Sequence, residues 1–211
     1  MNKFYLIILL SIGVSIRASG QYEGLQAFTH TFFRSDPFLG QFSAFMNHLT
    51  KDPAIEGKQI KLRTDTSFFS FTGIFPKYNP FSFKPTRLEI SLQEMPVQYS
   101  DSLPIGDTLL VYQLTAYAEA SENGAREVRN EFDRIHRKFA KRFFDSNYKQ
   151  FQEKDIPVGG LHNYFVPLHG VAPVSVAWGV LAGTKEPALN ITVRMKTREN
   201  YAELPVPLYN P

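Results

Sequence analysis

The chain has 211 residues, of which 43% are hydrophobic and 20% are charged, and it contains no cysteine. This length and composition exclude a disordered chain and predict one large folded domain or two small ones. The absence of cysteine excludes disulfides, thiolate metal sites and cysteine nucleophiles. The formal net charge of +3 is too small to indicate a nucleic-acid-binding protein.

Residues 1–20 have the layout of a secretory signal peptide. Lys3 provides a positive charge, residues 4–16 form a short apolar run, and Ala18 and Gly20 are small residues at −3 and −1 of a cleavage site. We therefore expect an exported mature chain of residues 21–211, with an uncleaved membrane anchor as the alternative. Removing residues 1–20 takes away Lys3 and Arg17 and leaves 21 basic and 20 acidic residues.

The predicted export and the absence of cysteine together indicate where the protein is located. Exported animal proteins of this size usually carry disulfides. We therefore expect a bacterial periplasm or cell envelope, with an extracellular location as the less favoured alternative, and we expect no nucleic acid partner.

The mature chain begins with a predicted pair of helices. Leu25, Phe28 and Phe32 have helical spacing, and a second apolar stripe begins at Phe38 and ends before Asp52. From Ile60 to residue 118 the hydrophobic period changes to two, which predicts three strands separated by turns rich in proline and glycine.

The longest predicted element is an amphipathic helix from Glu122 to Gln152. Apolar residues recur in it at spacings of three and four, which places them on one face of a helix. They are Val128, Phe132, Ile135, Phe139 and Phe143. After a predicted loop from Asp155 to Gly170, two alternating segments form the clearest hairpin in the sequence, and a proline-rich tail begins at Tyr201.

These elements predict a single α+β domain over residues 21–211. We expect an antiparallel sheet of about five strands packed against the long amphipathic helix, with the N-terminal helical pair covering part of the sheet.

The polar face of the long helix is the first candidate site. Five basic residues occur there within nine positions: Arg134, Arg137, Lys138, Lys141 and Arg142. Such a face suits an acidic protein partner or an anionic membrane surface, although a solvated face without a partner is the simpler interpretation. With no catalytic motif in the chain, the favoured hypothesis is a non-catalytic partner-binding or scaffold module of the envelope or periplasm.

Two further hypotheses remain open. The 19 phenylalanines predict either a phenylalanine-rich core or a cavity for an apolar small molecule, and the residues expected to line such a cavity are Phe132, Phe139, Phe143 and Trp178. Alternatively, Asp155, His162 and His169, together with His136, are candidates for a zinc site or a proton relay in a hydrolase. No cofactor is predicted for the favoured hypothesis.

Overall fold

The computed structural model describes residues 24–65, 67–96, 108–143, 145–153, 156–165 and 172–204. The predicted signal peptide and the end of the proline-rich tail lie outside these residues. Within them the chain folds as mostly antiparallel sheet, with three helices, so the α+β class is confirmed in this broad sense. None of the described helices combines the length and the apolar character needed to cross a membrane.

Helix α1 covers residues 24–32 in its described part, and helix α2 is Phe42–Lys51. Four strands follow α2: β1 (Glu56–Lys61), β2 (Ser70–Ile74), β3 (Arg87–Pro96) and β4 (Thr108–Tyr117). Helix α3 (Glu122–Phe139) and a short 3-10 turn (Ala140–Arg142) come next. The remaining strands are β5 (Asp145–Glu153), β6 (Ile156–Phe165), β7 (Val174–Val180), β8 (Pro187–Arg198) and β9 (Tyr201–Glu203).

The sheet is assembled from two groups of four strands that meet at its centre. Its order is β1-β2-β3-β4-β8-β7-β6-β5, every pairing is antiparallel, and β9 pairs with the end of β8. Helix α3 carries the chain from the central strand β4 to the far edge, where β5 begins. Each group follows a helix and ends on a central strand, so the two halves have the same order of elements.

One face of the sheet packs against the helices. Strands β3 and β4 alternate between buried and half-buried residues, as a strand with one covered face should. On the covered side Phe33, which directly follows α1, stacks on Tyr112 of β4 with ring centroids 4.3 Å apart, and the ring centroids of Phe28 of α1 and Phe139 of α3 are 5.0 Å apart. The core is therefore rich in phenylalanine, which is the simpler of the two interpretations of the composition.

The predicted strand count is wrong, because the described residues already form eight strands in the main order of the sheet and β9 beside them. One missed strand is β1, which is almost wholly exposed and so carries no hydrophobic alternation. The others are β5 and β6, which the sequence analysis assigned to the long helix and to the loop after it, and β9, which it placed in the proline-rich tail.

The long helix is also shorter than predicted. It begins where expected, with the Ser121 hydroxyl accepting a hydrogen bond from the Gly124 amide, but it ends at Phe139. Phe143 keeps the helical spacing and is buried, yet its backbone is already extended. Residues 145–153 contain glutamine, lysine and glutamate, which are good helix formers, but pairing with β6 overrides that local preference.

The predicted loop from Asp155 to Gly170 contains strand β6 instead. Pro157, Gly159 and Gly160 resemble turn residues in the sequence. Gly160 lies within the β6–β7 ladder, opposite Trp178. A Cβ at this position would come within 2.5 Å of the Trp178 indole nitrogen, so the position requires glycine. The glycine therefore makes room for a core side chain and does not mark a turn.

Candidate functional site

The predicted basic residues lie at the C-terminal end of α3 and in the 3-10 turn that follows. Arg137 and Lys138 are exposed in the last turn of α3, and Lys141 and Arg142 are exposed in the 3-10 turn. The Lys138 ammonium lies 5.0 Å from the centre of the Phe139 ring, and the Arg142 guanidinium lies 5.8 Å from it. We call these four residues the basic cluster.

Arg134, the fifth predicted basic residue, is engaged in an ion pair. Its Nη2 and Nε donate to the two carboxylate oxygens of Glu131 at 2.5 and 2.7 Å, and the Ser82 hydroxyl donates to the same carboxylate. The Glu131 side chain is fully buried. Burial alone would raise the pKa of Glu131, but the bonds from Arg134 and Ser82 outweigh it and lower that pKa. Arg134 therefore balances a buried charge and is less available to a partner than the basic cluster.

The four residues predicted to line an apolar cavity are core residues. None of them is more than 7% exposed: Phe132, Phe139, Phe143 and Trp178. Phe132 lies against Trp178 with ring centroids 6.5 Å apart, and Phe139 and Phe143 both contact Phe28 of α1. Two sizeable cavities that described residues line lie elsewhere, so these contacts give the carrier hypothesis no support.

The structure brings His162 of β6 together with His136 of α3. The two imidazole rings stack in parallel between β6 and α3, with centroids 3.8 Å apart and an interplanar angle of 4°. His136 Nδ1 lies 3.3 Å from the hydroxyl of Tyr164, whose pKa is raised by burial. Phe132 also stacks on His162, with centroids 4.8 Å apart.

This stack keeps His162 neutral. Burial, followed by the neighbouring His136, lowers the pKa of His162 from 6.5 to about 4. Its Nδ1 is buried without a hydrogen-bond partner among the described residues. Because the lone pairs of two parallel rings point side by side and do not converge, the pair does not form a chelating metal site.

The other two members of the predicted histidine site, Asp155 and His169, lie outside the described residues. Within the described part of the chain no group of three or more histidine, aspartate or glutamate residues is arranged to hold a metal ion. His162 lies on strand β6 and contacts α3. The seven-residue spacing between His162 and His169 did not predict this contact. The helical position of His136 beside Phe132 and Phe139 was the available signal for the contact.

The sequence analysis also gave Glu131 no role, although the structure buries it. The available signal was its position three residues before Arg134 and one before the buried Phe132. No protein-family model, no curated protein and no solved structure matches the chain, so its function is argued from its own residues alone.

Proposed function

We propose that the protein is an exported, non-catalytic binding module of the bacterial envelope or periplasm that rests on an anionic membrane surface through the basic cluster. The observation that carries the proposal is the position of Arg137, Lys138, Lys141 and Arg142 at one exposed end of α3. None of the four forms an ion pair with a described carboxylate, in contrast to Arg134. Their charges are therefore available to an external anion.

The path of the chain favours a membrane over an acidic protein as the source of that anion. Gly24, the first described residue, packs so closely on Arg142 that a Cβ would collide with the Arg142 carbonyl oxygen. The preceding segment, which contains the apolar run of residues 4–16, therefore joins the domain beside the basic cluster. During export, or permanently if the anchor alternative holds, a membrane-inserted segment would bring this end of the domain to the lipid surface.

The expected strength of such binding is modest. A lysine or arginine near an anionic leaflet contributes about 1 kcal/mol, so four of them contribute about 4 kcal/mol. Alone this corresponds to a dissociation constant of roughly 1 mM. The cluster would orient a domain that another segment holds at the surface, where the effective concentration is high.

The test uses the mature chain of residues 21–211, so that the apolar run cannot insert. Co-sedimentation is measured with phosphatidylglycerol vesicles and with phosphatidylcholine vesicles over a range of salt concentrations. We expect binding to the phosphatidylglycerol vesicles alone, and weaker binding as salt rises. Replacing Arg137, Lys138 and Lys141 by glutamate should abolish that binding while circular dichroism shows a folded domain.

A matched control changes the net charge by the same amount at exposed lysines elsewhere, through Lys51→Glu, Lys61→Glu and Lys77→Glu. This variant should retain binding. Equal losses in the two triple variants would show that net charge, and not the basic cluster, controls binding. A wild-type chain that ignores phosphatidylglycerol would overturn the membrane proposal, and capture by an acidic protein would then be the next hypothesis to test.

A further inference from the structure

The sheet face turned away from the helices carries a continuous row of uncharged polar residues. In the first half of the sheet the register aligns four of them across neighbouring strands: Gln59, Thr72, Ser91 and Gln113. The row continues through the second half: Thr192, Ser175, Asn163 and Asn147. With strands about 4.8 Å apart, eight positions span about 34 Å.

The two halves of this row differ in accessibility. Thr192 and Ser175 are only 3% exposed, and the Arg194 guanidinium donates hydrogen bonds to the Ser175 hydroxyl and to the Ala172 carbonyl at 3.0 and 3.4 Å. Asn163 donates to Asn147 at 3.1 Å. The second half is therefore occupied by contacts within the protein.

The first half lies in an open concave site instead. All four residues of this half line a cavity of about 460 Å³, together with Gln93, Thr115 and Tyr117. That volume is within the range of small-molecule sites. Gln59, Thr72 and Ser91 make no side-chain hydrogen bond to another described residue, so their amide and hydroxyl groups are available to a ligand.

The site is close to electrically neutral. Among the described residues that line it, Glu89 is the single charged one. Its carboxylate lies 2.9 Å from Arg87 Nε and accepts a hydrogen bond from the Tyr117 hydroxyl at 2.9 Å. Arg87 in turn lies over the Tyr117 ring, 4.0 Å from its centroid. A charged ligand would find no unpaired opposite charge here.

We propose that this cavity binds an uncharged carbohydrate. A sugar hydroxyl both donates and accepts hydrogen bonds, and the glutamine amides and the serine and threonine hydroxyls of the lining offer both functions. A peptide is less suitable, because an extended peptide binds a sheet through the main-chain groups of an edge, and on a sheet face those groups are already paired. The inference is independent of the membrane proposal.

The test is nuclear magnetic resonance of the isotope-labelled mature chain with three neutral probes: cellotetraose, maltotetraose and tetra-N-acetylchitotetraose. We expect at least one of them to shift the side-chain amide signals of Gln59, Gln93 and Gln113. Replacing Ser91 by leucine, which puts apolar bulk in the middle of the cavity, should weaken binding about tenfold or more, as expected when one or two hydrogen bonds are lost.

Two edge positions of the same row provide a matched pair of variants. Gln59→Leu should weaken binding, whereas Asn147→Leu, at the exposed opposite end and outside the cavity, should not. Because both positions are exposed, neither change should unfold the domain. Unmoved glutamine signals with all three probes would overturn the proposal, and so would equal binding by the Gln59→Leu and wild-type chains.

Discussion

The packing around His162 should make the stability of the fold depend on pH. The groups around it are His136 and Asp133 on α3, Tyr148 on β5 and Tyr164 on its own strand. Asp133 favours the protonated ring, but burial and His136 prevail and lower the pKa of His162 to about 4. In the unfolded chain the same imidazole takes up its proton near pH 6.5.

The stability of the fold should therefore decrease between pH 6.5 and pH 4, where the unfolded chain binds more protons than the folded one. The shift from 6.5 to about 4 corresponds to about 3 kcal/mol, fully present above pH 6.5 and lost as the pH approaches 4. His162→Phe, which keeps a ring beside Phe132, should flatten this dependence in denaturant titrations at several pH values. His48→Gln, at an exposed histidine of α2, should leave it unchanged, and an identical slope in both variants would contradict the assignment.

At the scale of elements, the sequence predicted those helices and strands whose apolar residues recur with the period of the element and so lie on its buried face. The apolar stripe of α3 is buried as expected at Val128, Phe132, Ile135 and Phe139, and the alternation along β7 and β8 is that of strands. Strand β5 could not be predicted in this way, because its lysine, glutamines and glutamate favour a helix, its apolar residues do not alternate, and its structure depends on pairing with β6. The polar row could not be predicted either, since register is a property of the assembled sheet.

Gly160 illustrates how an element can depend on a neighbour that is distant in the sequence. Gly160→Ala should destabilise the domain by about 1–3 kcal/mol, because the new methyl group would meet the rigid Trp178 indole and the Tyr148 ring. Gly183→Ala is the control, since a Cβ there meets nothing within 4 Å. Its effect should stay within about 0.5 kcal/mol. Chemical denaturation of the two variants measures both values, and equal stabilities would disprove the close packing of β6 on Trp178.

At the scale of the whole molecule, the two halves of the sheet are joined by the pairing of β4 with β8. Both strands carry fully buried residues along their length, such as Leu114 and Ile191, which face each other across the ladder. The outer strands differ: β1 is exposed at five of its six residues and its register shifts between Glu56 and Gln59, and β5 exposes Tyr148 and Phe151. The same order of elements in both halves thus creates one stable centre and two weak edges.

Native-state hydrogen exchange should reproduce this gradient. Amides of β4 and β8 are hydrogen-bonded to neighbours on both sides and bury the core, so we expect them to exchange only when the whole domain unfolds. Amides of β1 and β5 should exchange through local opening, with free energies several kcal/mol lower. Because the measurement compares strands within one sample, it needs no variant protein. Protection of β1 equal to that of β4 would mean that another part of the chain or a second molecule covers that edge, and the row of residues from Gln59 to Gln113 would then no longer be open at its outer end.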